Sequence, residues 1–313
     1  MRSPLLALAL AAGLLAAAPA FADGPKVVAS IKPVHSLVSA VMQGVGEPAL
    51  IVRGAASPHD YTMKPSDARA LQGADLVFWV GEALESFLVK PLKSVPKSVR
   101  VVELLETPGI TLLEAREGGA WESHDHGHAH KHDHAGKDHG DFNTHVWLDP
   151  DNARVMARAA AEALAARDPA HAATYRANAE AYAKRLDALD AELKATLAPV
   201  AERPFVVFHD AYQYFEKRYG LNAVGAITVN PERAPSAKRV AAIRERIKKL
   251  GAACVFAEPQ FEPKLVDTLI EGTGAKKGTL DPEGAAIPDG PELYPALLRG
   301  LATSLTGCLA PRA

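Results

Sequence analysis

The residue pattern predicts an α/β protein of two lobes, each built on a mostly parallel sheet and joined to the other by one long helix. Three observations carry this. Strand-like and helix-like stretches alternate from Val27 to Leu104, a long apolar stripe of helical period fills Pro169 to Ala198, and the alternation restarts at Phe205.

Val27 to Ile31 is a β-branched run that ends at Lys32-Pro33, and a helical pattern runs from His35 through Met42. Ala49 to Val52 is a second strand, with turn material from Gly54 to Pro58. Pro65 suits the first turn of a helix that Gly73 stops. Asp75 to Val80 is almost continuously apolar, the mark of a strand covered on both faces. Glu82 to Leu88 reads as helix and Val99 to Leu104 as strand. Asn152 to Ala166 is an Ala-rich helix broken at Asp168-Pro169. In the long element, Ala172, Tyr175, Ala179, Tyr182, Leu186, Leu189, Leu193 and Leu197 recur at steps of three and four. Such a stripe serves a strut packed on two lobes or a coiled-coil dimer arm, and the strut is favoured here. Phe205 to Phe208 is then a strand ending at His209, and a helix from Ala211 stops at Gly220. Ala223 to Val229 and Ala253 to Ala257 are strands, and Thr279 to Pro282 a strand end. Pro235 to Leu250, Pro263 to Glu271 and Leu293 to Leu309 are helices, the first with Gly251 as its C′ residue.

Ahead of all this, Arg2, the apolar run Leu5 to Ala18 and Ala20-Phe21-Ala22 read as an export signal cleaved after Ala22. The run is shorter than the roughly 20 residues a membrane span needs, and no later segment suits one. No Cys stands at the cleavage point to take a lipid. The expected division is therefore 1–22 signal, 23–168 N-terminal lobe, 169–198 connecting helix and 199–313 C-terminal lobe. A net charge of −2 without a basic stripe argues against nucleic acid as a partner. Cys254 and Cys308, in an oxidising compartment, most simply form one disulfide; two separate buried thiols are the alternative.

Chemistry concentrates in histidine. His124, His126, His128, His130, His132, His134 and His139 crowd a hydrophilic stretch at 122–141. This predicts a mobile loop in the N-terminal lobe that captures metal through many weak imidazole sites; a merely solvated linker is the bland alternative. His59, His145 and His209 stand apart from it, each in a turn or at a strand end. His209 comes directly after F-V-V-F, so it emerges where open α/β sheets bind their ligands. Three imidazoles from both halves would make a tetrahedral metal site in the cleft. Asp281 could complete the sphere or cap the turn before Pro282. Asp60, Asp210 and Glu258 could orient ligand rings from outside the sphere, while His35 and His171 read as ordinary surface or helix-start residues, and Trp79 and Trp147 as packing.

The motifs G-A-A-S-P-H-D-Y at 54–61, H-V-W-L-D-P at 145–150, F-H-D-A-Y at 208–212, F-A-E-P-Q at 256–260 and L-D-P at 280–282 resemble the ZnuA-type zinc-binding proteins of bacterial ABC importers, over essentially the whole mature chain. The resemblance implies two (β/α) lobes bridged by a long rigid helix, with the metal in the cleft between them. It implies His59, His145 and His209 as ligands, with a fourth at Asp281 or left to water or a nearby acid. Related manganese and iron binders usually carry an acidic residue where His209 stands, so His209 points to zinc. An acidic residue found in some relatives just before the first ligand is Pro58 here. The His-rich acidic loop and a Cys254–Cys308 bridge are also features of the zinc subgroup. The resemblance thus implies a periplasmic monomer that takes up Zn²⁺ for an inner-membrane ABC permease and its cytoplasmic ATPase, with a periplasmic metal chaperone as a further candidate partner. Copper and nickel also suit imidazole. The alternatives are a zinc-buffering chaperone or surface adhesin without a transporter, and a zinc hydrolase, the last disfavoured because no H-E-x-x-H motif occurs. Protons should compete for the ligand nitrogens near the ordinary imidazole range of about 6.5.

Overall fold

The alternation resolves into two four-stranded, all-parallel sheets. The computed structural model describes residues 24–116, 121, 142–228, 236–262 and 264–311; the expected export signal and the histidines from 124 to 139 lie outside these residues. In the first lobe the strands are β1 (Val27–Ala29), β2 (Ala49–Leu50), β3 (Leu76–Trp79) and β4 (Arg100–Glu103), in the spatial order β2-β1-β3-β4. Val28 stands opposite Ala49 on one side and Val77 on the other. Every residue of β3 is buried, as its apolar run requires of a strand covered on both faces. The intervening helices are α1 (Lys32–Val41), α2 (Pro65–Gln72) and α3 (Ser86–Lys93). Helix α1 starts three residues before the pattern suggests, because Pro33 fits the first turn, where its missing N–H is no loss. Helix α3 starts later than expected: the Glu85 carboxylate accepts the N–H groups of Val80 and Gly81 at 2.8 and 2.9 Å, so residues 82–85 fold as a turn rather than helix.

Two antiparallel helices come next, α4 (Pro150–Arg167) and α5 (Ala172–Leu197). The expected stripe is the buried face of α5: Tyr175, Ala179, Tyr182, Leu186, Leu189, Leu193 and Leu197. Helix α4, packed against α5, buries Leu164 and the small residues Ala153, Ala157, Ala160 and Ala161. At 26 residues, α5 is about 39 Å long. The second sheet holds β5 (Phe205–His209), β6 (Ala223–Thr228), β7 (Cys254–Ala257) and β8 (Lys276–Thr279) in the order β6-β5-β7-β8. Its helices are α6 (Gln213–Tyr219), α7 (Ala237–Leu250), α8 (Lys264–Ile270) and the final α9 (Leu293–Leu309). Gly220 and Gly251 end α6 and α7 with φ of 65° and 59°, the left-handed geometry that favours glycine.

The strand order reverses between β1 and β3 and again between β5 and β7, so each sheet opens a crevice at the carboxyl ends of its strands. The lobes are pinned on either side of the crevices. Trp147, fully buried, donates its indole N–H to the carbonyl of Pro282 at 2.9 Å. Tyr294 on α9 donates its hydroxyl to the Trp147 carbonyl at 2.6 Å, and its backbone N–H to Ser36 Oγ on α1 at 2.9 Å. The last helix of the chain thus packs back against the first.

Cys254 in β7 and Cys308 in α9 form a disulfide across 54 residues of sequence, fastening α9 to the second sheet. At Gly278 of β8 a side chain would run into the Phe256 ring, so glycine lets this edge strand pass beneath the disulfide. A Cys254→Ser, Cys308→Ser double variant should lose roughly 4 kcal/mol of stability in the chain-entropy account of a loop this size. Urea unfolding would read this as a lower midpoint at similar slope; an unchanged midpoint would contradict it.

Candidate metal centre

Each of the three separate histidines is placed by local chemistry. Ser57 caps the short 3-10 turn Pro58–Asp60 by accepting the N–H of His59 at 3.2 Å, and Pro58 fixes the turn's first dihedral. His145 precedes the turn Val146–Leu148, from which Asp149 caps α4 by accepting the N–H of Asp151 at 2.9 Å. His209 is the last residue of β5, at the reversal of strand order. The ring centroids of His59, His145 and His209 lie 5.3, 5.4 and 5.0 Å apart pairwise. One nitrogen from each falls within 4.8 Å of the others, and no second group of this kind occurs among the described residues.

Neighbours fix the tautomers. Nδ1 of His145 stands 2.9 Å from Asn143 Oδ1, which can only accept, so Nδ1 carries the proton and Nε2 offers a lone pair. Nδ1 of His209 stands 2.6 Å from Glu258 Oε2, with the same consequence, while Glu258 Oε1 accepts the His209 backbone N–H at 3.3 Å. The two Nε2 atoms therefore face each other, lone pair to lone pair, at 3.1 Å. A zinc ion bound at 2.0–2.1 Å to two tetrahedral nitrogens holds them about 3.3 Å apart, so the space between suits a cation of this kind. Burial first, and then the closeness of the other rings, makes a proton costly here: it lowers the His59 pKa to about 3 and the His145 pKa well below its usual value, leaving both as neutral donors. Proton competition at these two rings is thereby displaced below the 6.5 range expected from imidazole alone. The rings open on a cavity of about 10 Å³, also lined by Ser57, Pro58, Glu258, Gln260, Phe261 and Glu283. Phe261 stacks on Phe208 at 4.9 Å and meets His209 edge-on, forming an apolar wall.

The other candidates separate. Asp281 takes the turn-capping role: Oδ1 accepts from Gln260 Nε2 and from the N–H groups of Glu283 and Gly284, and Oδ2 from that of Ala285. With its oxygens so engaged it is not one of the convergent group. Asp210 turns away from the rings to pair with Arg116, which also binds Glu216, and Asp60 is exposed. Of the three acids suggested to orient the rings, only Glu258 touches one. His35 is no surface residue: it is buried on α1, its Nε2 2.9 Å from the Pro48 carbonyl. His171 bonds Asp168 at 2.7 Å, and Trp79 and Trp147 are buried. His124, His126, His128, His130, His132, His134 and His139 lie outside the described residues. Sequence reasoning missed Asn143 and Glu283. Asn143 had a signal, an amide two residues before a candidate ligand. Glu283, buried beside the cavity with its pKa raised well above the usual carboxylate range by burial and by Asp281, had none.

Comparison with known proteins identifies the family of the chain. The chain matches the family model described as Zinc-uptake complex component A periplasmic over residues 27–308. A High-affinity zinc uptake system protein ZnuA of Brucella suis is 52% identical over 305 residues, covering 91% of each chain. One from Paracoccus denitrificans is 40% identical, covering 99% of each. A crystal structure of ZnuA superposes with a TM-score of 0.76 at 25% identity, covering 92% of this chain and all of that one.

Because folding lowers the His59 and His145 pKa values, the unfolded chain takes up protons that the native site refuses once the pH drops below about 6.5. These rings contribute nothing above that range. At pH 5 the His59 ring should subtract about 2 kcal/mol and His145 should act in the same direction, so urea midpoints of chelator-treated protein should fall from pH 7 to 5, less steeply in His59→Phe. The anion behind His209 is open to a separate check. Glu258→Gln keeps the shape but removes the charge, and zinc affinity by competitive titration should drop about 10- to 100-fold.

Proposed function

Because this chain belongs to the periplasmic zinc-uptake component A family, we propose that it captures Zn²⁺ in the periplasm and delivers it to an inner-membrane ABC permease driven by a cytoplasmic ATPase. The observation that carries this reading is the convergence of His59, His145 and His209 from both lobes on one small cavity. Three nitrogen donors favour zinc over manganese, which prefers more oxygen. His145 and His209 are held in the right tautomer before an ion arrives, so little reorganisation opposes binding. Since the rings come from two lobes, parting the lobes separates the ligands, which gives release to a permease a simple route without any covalent step. The pins at Trp147 and Tyr294 and the strut α5 keep that motion small.

No helix among the described residues is long and apolar enough to cross a membrane. The chain acts as a monomeric receptor rather than an enzyme, and Zn²⁺ is its cargo. Metal analysis and competitive titration of the intact protein beside His59→Ala, His145→Ala and His209→Ala test the capture step. Each variant should lose affinity by more than the roughly 100-fold typical of an outer partner, and titrations that overlay the wild type would overturn the reading. Delivery is tested by deletion: growth should fail in zinc-poor medium and recover when zinc is added. A chaperone that only buffers zinc would leave uptake intact, and a hydrolase would turn over ester, peptide or phosphate substrates when zinc-loaded.

A further inference from the structure

Three histidines leave a tetrahedral ion one open position, and among the fully buried side-chain polar atoms of the cavity wall, Gln260 Oε1 has nothing to bind. Gln260 lies just past the end of β7 and lines the cavity with the three rings. Its Nε2 donates to Asp281 Oδ1 at 2.9 Å. That carboxylate already accepts backbone N–H groups at 3.0, 2.9 and 2.6 Å, so it is fixed in place and can only accept. The amide of Gln260 must therefore present its NH₂ to Asp281, which leaves Oε1 buried and without a partner. A buried amide oxygen lacking a donor is unfavourable, and such an atom calls for an explanation. The two carboxylates on the wall, Glu258 and Glu283, do not join the converging ligand atoms of the three rings, and Glu258 is held by His209 at both oxygens. The cavity, at about 10 Å³, is close to the smallest space that admits one water.

We propose that Gln260 accepts a hydrogen bond from a water molecule occupying the open position of the bound ion, with Asp281 fixing the amide so that its oxygen faces that water. This rests on the reading that His59, His145 and His209 hold the ion. Gln260 is then a positioning residue that touches the ligand of the ion, and Asp281 acts through it. The consequence is a sphere of nitrogen and neutral water with no carboxylate on the ion. The position is filled firmly enough to complete the site yet open to exchange, as a cargo that must be released requires.

The test uses the full chain loaded with Zn²⁺ or with Co²⁺, whose visible bands report coordination. Gln260→Met keeps length and loses the acceptor; Gln260→Glu, protonated toward Asp281, keeps it. The Met variant should bind Zn²⁺ about 10- to 100-fold more weakly with a shifted Co²⁺ band, and the Glu variant should stay within a few-fold of wild type. An unchanged Met variant, or a weakened one with an unshifted Co²⁺ band, overturns the proposal while the three-histidine site stands. Zinc-edge X-ray absorption on the unmodified protein is a second check that needs no variant. Three nitrogens and one water-like oxygen are expected, and a carboxylate in the sphere overturns the proposal. If His59→Ala, His145→Ala and His209→Ala bind like wild type, it is the underlying site that fails.

Discussion

Two imidazole nitrogens, on His145 and His209, face each other with their lone pairs at 3.1 Å, and the rest of the molecule is arranged to keep them there. Left to themselves the rings would turn to give one nitrogen a donor. Asn143 and Glu258 prevent this by taking the protons on the far side of each ring. Burial adds the second constraint, since it keeps the His59 and His145 rings neutral as donors. A cation is the natural partner for such a place, and the protein meets most of the cost of organising it during folding.

That constraint reaches into the scaffold. Asn143 also donates to the Asp210 carbonyl at 2.7 Å and accepts the Tyr214 hydroxyl on its own carbonyl at 2.7 Å, so the segment before His145 is laced to the strand end that carries His209. Arg218 on α6 binds Asp190 on α5 and Asp151 on α4, tying the helix after β5 to both long helices. Trp147 and Tyr294 add hydrogen bonds that tie the segment after His145 to Pro282 and to the last helix, so the backbone on both sides of the rings is held by the scaffold.

Much of the architecture is legible in the sequence because it rests on period and punctuation. The apolar stripe of α5, the doubly covered run of β3, and Gly220 and Gly251 at helix ends are local signals that folding had no reason to override. Where pattern and structure differ, long-range contacts decide. Strand β8 is Lys-Lys-Gly-Thr, with no hydrophobic alternation to betray it, and pairs with β7 only because the sheet needs an edge. Helix α3 is shifted by a buried carboxylate that reaches back to cap the end of β3. His35 looks like a surface residue from its neighbours in sequence, since none of them shows that the Pro48 carbonyl is waiting for it.

The site divides in the same way. Residue type and position along the chain are enough to pick out the three imidazoles that the fold brings together, because His59, His145 and His209 fall at turns and strand ends, where a parallel sheet presents side chains to a ligand. Which acids serve them is visible only once the chain has folded. Asp60 and Asp210 adjoin two of the histidines in sequence, yet consecutive side chains point apart, and the working partner of His209 is Glu258, 49 residues away on the neighbouring strand end. Asp281 likewise spends its charge on its own turn and on Gln260. Residue type and spacing fix what a chain can bind; the direction each side chain faces is a property of packing, and packing is settled across the whole fold.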